Sequence, residues 1–279
     1  RRQRQMCIRD SFGEMYGEDA LYASIPIAYA PGADTLRSPY SGRTSEYFSE
    51  DGVLSYYAAK AVSRGMRNKG LIGTVKHFFL NEQEAGRQGI STFANEQAIR
   101  EIYMRAFEGS LAEGDSLGVM TAYNRVGITQ DNAHTGLMKN ILRNEWGFQG
   151  LISEDFIQNA NYVVLKEAVL NGVTMSCNTG DNTMAAVSEK YPYWTAEAVS
   201  QDTTMMTALK QAMKDQNYAL ANSNAMDGMT SSTRLVSVRT WYDNALVAVQ
   251  VVFAALTVLA AAMYVLNDRK SCLLYTSDA

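Results

Sequence analysis

Polar side chains able to do chemistry recur along this chain at the ends of short apolar runs. Asp34 and Arg43 follow one run, Lys76 and His77 close a second, Tyr123 and Asn124 a third, and Glu154 and Asp155 a fourth. These groups offer carboxyl chemistry, charge-assisted donors from Arg and Lys, and an imidazole that can donate or accept. The adjacent acids of GLISEDF (150–156) are not equivalent. Successive side chains of a strand point to opposite faces, so Glu154 and Asp155 cannot serve one reacting centre together. A metal site has little to build on. There are two histidines, His77 and His134, and three scattered cysteines, Cys7, Cys177 and Cys272, without ligand spacing. No metal or other cofactor is therefore expected. The net charge is −4 with acids and bases well mixed. With no basic stripe, nucleic acid is not an expected partner. Sixteen tyrosines would suit a sugar-binding surface, although most such rings simply pack.

The elements that must position these groups alternate along the chain. ASIPIAYAPGAD (23–34) reads as a strand ending in a Pro-Gly loop, and 51–70 as a helix stopped at Gly70. LIGTVKHFFL (71–80) is the next strand. Residues 91–114 read as a long helix capped by Ser91 or Thr92 and stopped at Gly114. Strands are expected at 116–124, 150–156 and 173–177. Helices are expected at 135–147, with Thr135 as cap, and at 161–172. Strand–helix alternation of this size argues for a parallel α/β architecture. In a barrel of that kind the C-terminal strand ends carry the site, where the polar groups fall. About five strands are fewer than a closed (β/α)8 barrel needs, so a partial TIM-type barrel, truncated at its N-terminal side, is expected.

The pattern changes after Asp181. Residues 204–226 read as an amphipathic helix. Residues 245–266 then form a run of 22 with no formal charge and one strongly polar residue, Gln250. A bilayer needs about 20 such residues. Trp241 and Tyr242 precede the run and Tyr264 lies near its other end, as interfacial aromatics would. NDRK (267–270) favours a cytoplasmic C-terminus, which leaves the globular part outside the cytoplasm in a single-pass protein of the cell membrane. Both ends read as foreign to the rest, RRQRQMCIRDS at the start and SCLLYTSDA at the close. The expected organisation is a non-native tail at 1–11, a partial barrel domain at 12–200, a helical linker at 201–240, the span at 245–266 and a second non-native tail at 271–279.

Four stretches carry a resemblance. PGADTLRSPYSGRTSEYFSED (31–51), KHFFLNEQEAGR (76–87), VMTAYN (119–124) and NEWGFQGLISEDF (144–156) occur in the order and spacing of glycoside hydrolase family 3. The chain resembles that family over roughly residues 12–180. The resemblance implies an exo-acting, retaining, β-glucosidase-like enzyme whose partner is a β-linked oligosaccharide or glycoside. Residue by residue it implies that Arg43 and the pair Lys76 and His77 hold the sugar. Met120 and Tyr123 line the pocket, and Asp155 is the nucleophile. A retaining enzyme attacks with one carboxyl and uses a second, about 5 Å away, as acid and then base. Lys76 and Arg43 would favour the ionised form of Asp155.

The family usually has a small residue where Glu154 stands, and a carboxylate there would raise the pKa of Asp155 if it came close. The second carboxyl has no counterpart here. In two-domain members it lies on an α/β sandwich, and the resemblance implies a rearranged order with that domain upstream. The alternative is a catalytically degenerate, membrane-anchored glycan-binding protein. Several residues stay open between roles. Glu84 and Arg87 are site residues or a loop ion pair. Arg100, Glu101 and Arg105 read as a surface charge network. Tyr47 and Phe48 read as core, His134 as cap or packing, and Asn124 as a support for Tyr123 or its loop.

Overall fold

The computed structural model describes residues 2–113, 115–156, 165–177, 195–227, 232–234, 236 and 239–275. The chain divides into two compact units, Arg1–Gly228 and Met229–Ala279. In the first, helix α1 (Arg2–Tyr22) leads into strand β1 (Ile27–Ala28), helix α2 (Gly52–Asn68) and strand β2 (Ile72–Phe78). Then come β3 (Ser91–Thr92), α3 (Glu96–Ala98), a π-helical turn over Ile99–Tyr103, and α4 (Arg105–Leu111). Strand β4 (Gly118–Thr121) is followed by the hairpin β5 (Arg125–Val126) and β6 (Thr129–Gln130). A π-helix over Gly136–Glu145, β7 (Leu151–Ser153) and α5 (Leu165–Leu170) complete the described sheet region. Helices α6 (Ala196–Gln201) and α7 (Thr203–Ala221) close the unit.

The main sheet has the order β1-β2-β4-β7, every pair parallel, and Ser153 bridges in parallel to Met175. Its spatial order is its chain order, with a helix or helical loop between neighbours. This is the arc of a TIM-type barrel. Strands buried on both faces should be nearly continuous in apolar residues, and β2 is buried at every residue except the half-buried Lys76. The register places Val75 beside Val119, Val119 beside Ile152, and Met120 beside Ser153. It is irregular between Val75 and Phe78, where Lys76 and His77 lie. Around Phe78 the rings of Phe107, Phe79 and Trp146 pack at 5.3, 5.4 and 5.9 Å. They tie β2 to α4 and to the π-helix.

Helix α2 starts at Asp51, whose Oδ1 accepts from the Val53 N–H at 2.8 Å. It ends before Gly70, whose φ of +72° is the left-handed stop expected from the sequence. Helices α1 and α2 touch at their backbones. A Cβ on Gly65 would lie 2.3 Å from the Asp10 carbonyl oxygen, and one on Gly13 would lie 2.3 Å from that of Val62. Alanine for glycine in a helix interior otherwise gains roughly 0.5–1 kcal/mol. At Gly65 overpacking reverses the sign, so Gly65→Ala is expected to lose about 1–3 kcal/mol. Denaturant unfolding checks this, and a raised midpoint would mean that the helices do not meet here.

Several expected boundaries are corrected. The strand expected at 23–34 is two residues long plus a bridge from Gly32 to Lys76, because Pro26 and Pro31 lack the N–H a ladder needs. Ser91 and Thr92 pair with Arg125 and Val126 instead of capping a helix. The helical region begins at Glu96, where Asn95 Oδ1 accepts from the Ala98 N–H, and Gly114 lies outside the described residues. Thr135 donates its hydroxyl to Asn171 Oδ1 at 2.8 Å and does not cap. The helix of 161–172 is described from Leu165 onward and that of 204–226 as Thr203–Ala221, capped by Asp202.

In the second unit, helix α8 (Trp241–Tyr275) contains the apolar run. Trp241–Asn267 is a 27-residue stretch long and apolar enough to cross a membrane, and none of its residues is buried.

Candidate active site

The C-terminal ends of β2, β4 and β7 and the loop after β1 bring the expected site residues together. Their frame is a chain of ion pairs. Glu46 binds Lys76 through Oε1 and Arg43 through Oε2, both at 2.7 Å. Glu84 binds Arg43 through Oε1 at 2.5 Å and Arg87 through Oε2 at 2.9 Å. Each carboxylate oxygen takes one cation, so Lys76, Arg43 and Arg87 are held in fixed positions. Burial opposes the charge of Arg43, but the carboxylates of Glu84 and Glu46 outweigh it and raise its pKa. Partial burial would raise the pKa of Glu46, yet Lys76 and Arg43 bring it down. The Arg87 guanidinium also lies over the Tyr123 ring, 4.4 Å from its centre.

His77 sits inside this frame and is almost fully buried. Its backbone N–H donates to Asp34 Oδ2 at 2.7 Å, and the Asn81 N–H donates to Asp34 Oδ1 at 3.0 Å. Asp34, wholly buried, thus pins the loop that ends β2. Burial lifts its pKa to about 7 despite those donors. The imidazole has the Tyr47 hydroxyl at 3.2 Å from Nδ1 and Arg43 Nη1 at 3.4 Å from Nε2. Burial first, then Arg43, Lys76 and Arg87, hold the His77 pKa well below its ordinary value, so the ring is neutral.

Asp155 faces His77 from the end of β7, with Oδ2 3.6 Å from Nε2. Its Oδ1 accepts from the Phe156 N–H at 2.7 Å. Oδ2 is buried and accepts no hydrogen bond among the described residues. Burial raises the Asp155 pKa, while the Phe156 N–H, Arg87, Arg43 and Lys76 oppose the rise. One carboxylate oxygen is therefore anchored and the other left bare, in the field of three cations.

Glu154 belongs elsewhere. Its side chain, 2% exposed, accepts from Asn132 Nδ2 at 2.8 Å and lies 3.5 Å from Ser176 Oγ. No cation is among its partners, and burial pushes its pKa up to about 8. At neutral pH it is a neutral acid and puts no negative charge beside Asp155.

Of the residues expected from the sequence, Arg43, Lys76, His77 and Asp155 converge. Tyr123 borders them, its hydroxyl donating to the Phe156 carbonyl. Met120 is buried at the end of β4 opposite Ser153. Glu84 and Arg87, left open, are part of the frame. Glu46 and Asp34 carry more of it than sequence reasoning assigned them; the only local signal for Glu46 is its place three residues after Arg43. Tyr47 is core, as expected, with its hydroxyl on His77. Asn124 holds a loop, donating to the Phe79 carbonyl and to Thr92 Oγ1, both at 3.2 Å. The surface network pairs Arg100 with Glu96 and Glu145, and Arg105 with Glu108. His134 starts the π-helix, its carbonyl accepting from the Leu137 and Met138 N–H groups. Among the described residues no group of three or more His, Cys, Asp or Glu side chains is placed to hold a metal ion.

A barrel of this type carries its site at the C-terminal strand ends, and the bare carboxyl oxygen and the fixed cations lie on that rim. The model of the glycosyl hydrolase family 3 N-terminal domain matches residues 3–217, and the chain belongs to this family. It is 38% identical over 144 residues to "Probable beta-glucosidase I" of Aspergillus flavus, a match covering 52% of this chain and 17% of that protein. It is 35% identical over 175 residues to "Beta-glucosidase A" of Butyrivibrio fibrisolvens, covering 62% and 21%. Beta-glucosidase 3B from Thermotoga neapolitana, solved in complex with glucose, superposes with a TM-score of 0.70 at 27% identity, over 78% of this chain and 30% of that one. The chain thus spans about a fifth of the length of these curated relatives.

Proposed function

We propose that this chain is the barrel part of a membrane-anchored, retaining exo-β-glycosidase of β-glucosidase type, with Asp155 as nucleophile. The observation that carries the reading is the bare, buried Oδ2 of Asp155 set among Arg43, Lys76 and neutral His77. A terminal sugar offers hydroxyls and no charge. Arg43 and Lys76 supply charge-assisted donors for those hydroxyls, and His77 donates or accepts as its tautomer requires. Tyr123 and Met120 wall the pocket. Asp155 Oδ2 attacks the anomeric carbon as the glycosidic oxygen leaves, forming a glycosyl ester that water then cleaves.

The acid that protonates the leaving oxygen, and later activates water, is assigned to an α/β sandwich domain upstream in the same full-length chain. Glu154 does not take that part, because it is hydrogen-bonded to Asn132 and Ser176 away from Asp155. Trp241–Asn267 anchors the enzyme in the cell membrane as a single span, with the barrel outside the cytoplasm. A 2,4-dinitrophenyl 2-deoxy-2-fluoro-β-glucoside tests the nucleophile. Its leaving group departs without a proton, so trapping does not need the second carboxyl. Peptide mapping of the full-length protein is expected to find the fluoroglucosyl ester on Asp155, and an ester on any other carboxyl would overturn the assignment.

A further inference from the structure

The membrane reading of helix α8 leaves the amide of Gln250 without a partner well inside the apolar run. Gln250 is the single strongly polar side chain of the run 245–266. It is exposed, and among the described residues its amide makes no hydrogen bond. In hydrocarbon no water is present to satisfy it, and an unmade hydrogen bond there is costly. At 100° per residue, Gln250, Ala254, Thr257 and Ala261 fall within about 60° of one another on one helix face. Thr257 donates its hydroxyl to the Phe253 carbonyl at 2.8 Å, so it presents acceptor lone pairs rather than a competing donor. Large side chains such as Val251, Phe253, Leu256 and Leu259 lie off this face, leaving two small alanines that let another helix approach closely.

We propose that the span pairs with a second copy of this chain through this face, the Gln250 amides hydrogen-bonding to each other across the interface. The inference rests on the membrane reading above. An identical copy is the occupant that the chemistry specifies. A carboxamide carries both a donor and an acceptor, so two copies related by a two-fold axis satisfy each other with the same residue.

The test uses the full chain with amino-terminal fluorescent donor or acceptor tags, in phosphatidylcholine vesicles. Energy transfer is followed as the protein is diluted in lipid, and resistance to carbonate extraction reports insertion separately. The inserted protein is expected to show concentration-dependent transfer. Gln250→Leu, which inserts at least as well, is expected to weaken association by about 3- to 30-fold. Ala255→Leu, on another face, is expected to leave it unchanged. Inserted protein whose transfer is unaffected by Gln250→Leu, or is abolished by Ala255→Leu instead, would overturn the pairing. Release into the carbonate supernatant would overturn the membrane reading and the pairing with it.

Discussion

Replacing Asp155 by Asn in the full-length protein is expected to lower kcat on an aryl β-glucoside by about 10⁴-fold or more, while glucose binding changes little. The substitution keeps the shape of the side chain. Its amide oxygen still accepts from the Phe156 N–H, which now lies 2.7 Å from Oδ1. What disappears is the negative charge and the lone pair that attacks. Arg43, Lys76 and Arg87 keep their places, because Glu46 and Glu84 hold them independently of Asp155. Steady-state kinetics and calorimetry with glucose separate the two effects. Unchanged turnover would refute the nucleophile assignment, and loss of binding alongside turnover would mean that Asp155 organises the pocket rather than reacting in it.

The second large effect concerns its neighbour. Glu154 has a pKa of about 8 in the folded chain and about 4.3 when unfolded. Between these values the folded state keeps a proton that the unfolded state has released. The contribution of Glu154 to stability is therefore fully present below about pH 4.3 and is lost as pH rises through 8. Gln cannot ionise and retains the oxygen that accepts from Asn132. Glu154→Gln is expected to melt with the parent near pH 4.5 and above it at pH 9. The gain should reach about 3 kcal/mol or more, roughly 6–12 °C in Tm. Comparing the two proteins cancels the other titrating groups. Equal melting temperatures at pH 9 would show that Glu154 ionises without penalty, which would require solvent or a cation beside it.

Much of this arrangement was legible in the sequence, for reasons that differ by residue. The strand ends were readable because β2, β4 and β7 are apolar runs that stop at polar groups, and a barrel gathers such stops on one rim. Alternation, read with 150–156 as one strand, separated Glu154 from Asp155; β7 ends at Ser153, and the two acids part company just beyond it. The state of Glu154 was not legible, since it depends on Asn132 and Ser176, which come from other segments. Glu46 was hidden for the same reason, and of Glu84 the pairing with Arg87 was legible but the one with Arg43 was not. A carboxylate that bridges two cations looks like any loop acid until the chain folds. The helix start was misplaced because helical periodicity runs back from Glu96 toward Ser91, whereas the pairing of Ser91 and Thr92 with Arg125 and Val126 is non-local. The cap that decides the boundary, Asn95, was present but competed with two plausible hydroxyls upstream.

The ion-pair chain from Lys76 through Glu46, Arg43 and Glu84 to Arg87 also sets how this rim can change by mutation. Five long side chains give up their rotamer freedom when the protein folds, so little of that ordering remains to oppose ligand binding. Sharing has a second effect. Removing either acid leaves one terminal cation, Lys76 or Arg87, without its carboxylate and Arg43 with one partner in place of two, and removing Arg43 leaves two half-satisfied acids. Single changes are therefore disproportionately harmful, and paired changes fall short of the sum of their parts. Drift at one of these five positions is held in check by the other four, and the rim is altered as a set or hardly at all.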